Sequence, residues 1–90
     1  MKVEEKIRRL AREKPEYREI LRAALGLEAD FENASARGWE WHQVRGHPGM
    51  LTKLVGEGVI RIMSRSRRGT WYMLVDREAT EKALGEKTRH

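Results

Sequence analysis

Residues 51–74 read "LTKLVGEGVIRIMSRSRRGTWYML", and the order of events in this stretch decides the fold. Leu51, Leu54 and Val55 recur at helical spacing and share one face, and Gly58 stops that helix. "VIRIMS" and "TWYMLV" then alternate with period two and are rich in β-branched and aromatic residues, so they predict two strands around an "RSRRG" turn. Ile60, Ile62, Tyr72 and Leu74 form the expected inward set, with Arg61, Met63, Trp71 and Met73 outward. A turn needs Gly69 but does not need Arg65, Arg67 and Arg68, so those arginines ask for an external partner.

Upstream, "GHPG" (46–49) is a tight turn with Pro48 preset for a helix's first turn. His47, Gly49, Met50, Thr52, Lys53 and Gly56 therefore fall on the face away from Leu51, Leu54 and Val55. "GWEWHQVRG" (38–46) predicts one or two turns of helix, from Trp41 and Val44 three apart, and "ENASARG" (32–38) a loop. At the N-terminus, Val3, Ile7 and Leu10 mark a helix with Glu4 and Glu5 early and Arg12 and Lys14 late, complementing the dipole. Pro15 interrupts it, and Tyr17, Ile20, Leu21, Ala24 and Leu25 form the next stripe; two helices or one kinked helix fit equally. Gly26 is a candidate cap, yet Leu27 and Phe31 point to a helix running on to about Asn33. After the strands, Asp76 is the expected N-cap of a last helix with Ala79, Ala83 and Leu84 inward, and "KTRH" a frayed end. The expected class is mainly α with a small antiparallel β-hairpin (α+β), one domain over 1–90: an N-terminal helical extension at 1–14, a core at 15–75, and a C-terminal helix and tail at 76–90.

Composition narrows the function. The 90 residues, 39% hydrophobic, suffice for one small core, burying roughly 60–65% of the unfolded surface. No cysteine is present, so disulfides and thiolate-bound metals are excluded and an intracellular setting is expected. No apolar run approaches the roughly 20 residues that span a bilayer, so no membrane partner is expected, and the charged start does not read as a signal peptide. Charged residues make up 37% of the chain, with one glutamine and one asparagine, a thermophile-like balance.

The +5 net charge is localised. Residues 1–34 hold eight basic and eight acidic side chains and residues 76–90 four and four, whereas residues 35–75 hold seven basic and two acidic (7 − 2 = +5). A surplus confined to one block is the footprint of a polyanion binder. His42 and His47, five apart with Glu40 near, lack the i, i+4 spacing of helical zinc ligands, so no metal or other cofactor is expected. No Ser/His/Asp ordering, paired acids or Walker-type loop suggests an enzyme. Three tryptophans offer stacking surfaces for bases, but a domain this small should bury at least two. Trp41 is the expected core residue, and Trp71, outward with Met63 and Met73, is expected to lie under the C-terminal helix.

From residues 17 to 75 the order resembles the winged helix-turn-helix family, here with an extra N-terminal helix and a C-terminal helix. Leu54, Gly58, Val59 and Ile60 match the step from the second helix into the wing, and Tyr72 and Leu74 the aromatic-x-Leu pattern that closes it. The resemblance implies a recognition helix presenting His47, Gly49, Met50, Thr52 and Lys53 to the DNA major groove. It implies wing contacts from Arg65, Arg67 and Arg68, and Arg37, Arg45 and Arg61 are further candidates for backbone contact. B-DNA's major groove admits one α-helix, guanidinium pairs well with phosphate, and the bare helix start at Gly49 would offer N–H groups to an anion. The presumed groove face holds no Asn, Gln or Arg, so backbone and shape readout are expected over direct base readout.

The expected partner is double-stranded DNA, with forked or single-stranded DNA as alternatives, in a cytoplasmic, nucleoid-associated setting. The module would serve a DNA-processing helicase or ATPase as an accessory domain, or act as a small transcriptional regulator. The competing expectation is a protein-interaction or dimerisation module, using the amphipathic N-terminal segment to pair two copies.

Overall fold

The computed structural model describes residues 2–29 and 38–85. The expected helix end at Asn33, Arg37, the loop 32–37 and the tail from residue 86 lie outside them. The elements are α1 (Val3–Glu13), α2 (Pro15–Ala29), a 3-10 turn (Trp41–Val44), α3 (Pro48–Gly56), β1 (Ile60–Ser66), β2 (Gly69–Leu74) and α4 (Arg77–Leu84). The result is an α+β fold of four α-helices and a two-stranded antiparallel hairpin among the described residues. No helix among them is long and apolar enough to cross a membrane.

The N-terminal pair is two helices. Lys14 is extended (φ −145°, ψ 126°), as the ring of a following proline demands, and Pro15 opens α2. Ile7 and Leu10 of α1 are fully buried, and α1 packs on α4 and α2. Tyr17, Ile20, Leu21, Ala24 and Leu25 form the buried stripe of α2. Gly26 is exposed in the helix interior and does not cap it.

At the other end, Asp76 accepts from Ala79 N–H (3.0 Å) and starts α4 as expected. The inward set differs from expectation: Thr80 and Leu84 are buried, and Ala79 and Ala83 only half-buried. Gly85 closes the helix in the left-handed conformation, and Arg18 of α2 donates to Leu84 O (3.1 Å). The chain turns sharply after β2, so α4 docks on α1 and α2 rather than across the outer face of the hairpin where it was expected.

The tryptophans differ from expectation: one of the three is buried rather than at least two, and Trp71 is half-buried. Trp39, not Trp41, is fully buried. It pairs with Tyr72 through two backbone hydrogen bonds (2.9 and 2.8 Å), and their rings stack at 5.6 Å. Gly38 permits this approach: its φ is +94°, and a Cβ there would lie 2.4 Å from Tyr72 O. Trp41 starts the 3-10 turn beyond the pairing, where no strand faces it; it is 46% exposed and rests edge-on against His42.

Candidate nucleic-acid interface

The turn that sets α3 begins with reciprocal capping between Glu40 and Gln43 at the start of the 3-10 turn. Arg45 then takes the left-handed conformation (φ 56°), and buried Gly46 packs on the Ile20 side chain. Arg45 itself is exposed and lines a groove shared with Glu16 and Glu19 of α2. It faces the acidic side of α2.

α3 begins at Pro48 with His47 as N-cap. Contrary to the expectation of bare donors, the first turn has little to offer an anion. Pro48 has no N–H, Gly49 N–H donates to His47 Nδ1 (3.1 Å), and the Met50 and Leu51 N–H groups donate to His47 O (2.9 and 3.2 Å). Acceptance at Nδ1 places the neutral ring's proton on Nε2. Met50, expected on the open face, is half-buried and packs against the core. Thr52 is exposed but donates its hydroxyl to Pro48 O (3.1 Å). The exposed residues of α3 and its cap are therefore His47, Pro48, Gly49, Thr52, Lys53 and Gly56, with Lys53 the one charge.

The hairpin is longer than the alternation implied. β1 continues through Ser66 and the turn shrinks to Arg67–Arg68. Both turn residues keep negative φ, so the twist falls to Gly69 (φ +154°), where a Cβ would sit 2.8 Å from Glu40 Oε1. Ile62 pairs with Tyr72 and Ser64 with Trp71, which leaves Met63 as a β-bulge. The bulge flips the alternation beyond it. Ser64 and Ser66 join the outer face of Trp71, while Arg65, opposite Thr70, turns to the face of Ile62 and Tyr72. Arg68 lines a depression with Ser64, Ser66 and Trp71, so the three arginines spread over two faces and a tip. Ile62, expected inward, lies beyond the end of the core and is 38% exposed.

The acids in this region are engaged. Glu57, just past α3, receives Arg9 of α1 on its carboxylate, and its carbonyl accepts from Lys6 Nζ (3.1 Å). Glu40 Oε2 lies 3.1 Å from His42 Nε2. By contrast, Arg45, Lys53, Arg61, Arg65, Arg67 and Arg68 are exposed and form no ion pair with a described residue. Among the described residues no group of three His, Cys, Asp or Glu is placed to hold a metal.

One important residue was not singled out from sequence. Glu28, 5% exposed in α2, accepts at a single oxygen from Trp39 Nε1 and Leu74 N–H (2.8 Å each). Burial pushes its pKa up, and the two hydrogen bonds and then the nearby Arg77 and Arg61 charges oppose that. Glu28 thereby ties α2 to Trp39 and to β2. Its signal was available: position 28 continues the Tyr17, Leu21, Ala24 stripe, where a carboxylate is out of place. No protein-family model, curated protein or solved structure matches this chain.

Proposed function

We propose that the chain is a winged-helix module that binds double-stranded DNA mainly through its phosphates, as an accessory domain of a DNA-processing protein or a small transcriptional regulator. The order α2, the Trp39–Tyr72 bridge, 3-10 turn, α3 and hairpin supports this reading. One observation carries it: Lys53, Arg65, Arg67 and Arg68 stand exposed and form no ion pair with a described residue, while the Glu57 carboxylate is taken up by Arg9 of α1. Such a surface gains most from a polyanion, whose condensed counterions it releases. The dimerisation alternative draws no comparable support, because Ile7 and Leu10, the stripe it would use, are buried inside the chain.

The test is fluorescence anisotropy with a short blunt duplex at several salt concentrations. Contact with about 4–6 phosphates gives a slope of log affinity on log salt of roughly −4 to −5. An Arg65/Arg67/Arg68→Ala variant should bind more weakly with a slope flatter by about 2–3, while circular dichroism shows it folded. A wild type that binds without salt dependence, or not at all, rejects the proposal.

A further inference from the structure

The outer face of the hairpin is chemically distinct from the rest of the basic surface. Ser64 and Ser66, brought there by the Met63 bulge, lie beside half-buried Trp71, and Arg68 closes the group. Together they line a depression of about 380 Å³, within the roughly 300–1,000 Å³ of small-ligand sites. Ser66 Oγ accepts from Arg68 N–H (3.2 Å), which fixes the turn that carries the guanidinium. α4 packs on α1 and α2 and leaves this face open.

The site offers an aromatic surface, a cation and two hydroxyls, with no acid in its lining. A flat ring can stack on the indole, a phosphate can pair with the guanidinium, and polar edges can meet the hydroxyls. A base paired within a duplex has both faces stacked and cannot use the indole. We infer that the outer face of the hairpin binds an unpaired nucleotide of DNA, its base stacked on Trp71 and its phosphate on Arg68. The preferred substrate is then a duplex carrying a single-stranded tail. This inference rests on the DNA-binding reading above and specifies the form of its substrate.

Anisotropy titrations compare a blunt duplex with the same duplex bearing a short oligothymidine tail. Wild type should bind the tailed form about five-fold tighter or better. Trp71→Ala should remove that preference while keeping affinity for the blunt duplex, and Trp71→Phe should retain part of it. Equal binding of both duplexes by wild type overturns the inference and leaves the DNA-binding reading intact; binding of neither overturns both. Should Trp71→Ala fail to fold, a Trp41→Phe protein serves instead. Trp39 is buried, so quenching of its remaining fluorescence by oligothymidine reports stacking on Trp71, and unchanged fluorescence counts against the inference.

Discussion

Removing the Glu28 carboxylate should loosen the hairpin from the helices. In Glu28→Ala, Trp39 Nε1 and Leu74 N–H lose their shared acceptor. Each orphaned buried donor costs about 1–3 kcal/mol, so the loss should be about 2–6 kcal/mol. A domain of this size has only about 5–13 kcal/mol in total, and the melting temperature should fall by at least about 8 °C. Glu28→Gln keeps a carbonyl oxygen for both donors and buries no charge, so at neutral pH it should stay within about 1 kcal/mol of wild type. The two variants also separate the role of charge. Because the folded-state pKa of Glu28 is raised above 4.5, the folded state binds its proton more tightly than the unfolded state does. Its favourable contribution is complete below pH 4.5 and is lost as pH rises through the folded value. Urea denaturation between pH 4 and 8, followed by tryptophan fluorescence, should show that decline in wild type and its removal in Glu28→Gln. A Glu28→Ala protein within about 0.5 kcal/mol of wild type would refute the reasoning.

Other substitutions probe the same frame. Gly26→Ala places a methyl group in open space within α2 and should stabilise by about 0.5–1 kcal/mol, read as a higher denaturation midpoint with unchanged m. Gly38→Ala drives a Cβ into Tyr72 O and should cost more than about 1 kcal/mol, with lost hydrogen-exchange protection at the Trp39 amide. Trp39→Ala should cost about 3–5 kcal/mol, whereas Trp41→Ala, at an exposed site, should cost less than about 1 kcal/mol.

Local patterns carried the element order because each signal is complete within a few residues. The α1 and α2 stripes, the Pro15 break, Pro48 at the start of α3 and the Asp76 cap all depend on neighbours within one or two turns. The errors arose where a distant residue decides. Trp39 and Trp41 are equivalent in a local pattern until Tyr72 and Glu28 claim Trp39. The Met63 bulge has no glycine or proline to mark it, since it arises from the register of two strands. One unpaired residue reversed the face of everything beyond it, turning Arg65 away from Trp71 and drawing Ser64 and Ser66 toward it.

Charge shows the same dependence on the third dimension. Along the chain, residues 1–34 sum to zero and add nothing to the basic excess. In space, α1 carries Lys6 and Arg9 to Glu57, where they meet both a carboxylate and the negative end of the α3 dipole. A neutral segment thus cancels an acid inside the basic one. At the opposite end of α3, Pro48 and the His47 cap leave few N–H groups for an anion. Under the proposed DNA binding, attraction for phosphate around α3 would come from side chains, from Lys53 and from the hairpin that follows. If the proposed DNA binding holds, neutralising Lys6 and Arg9 frees the Glu57 charge beside that surface, so duplex affinity read by fluorescence anisotropy should weaken even though neither residue belongs to the hairpin or to α3.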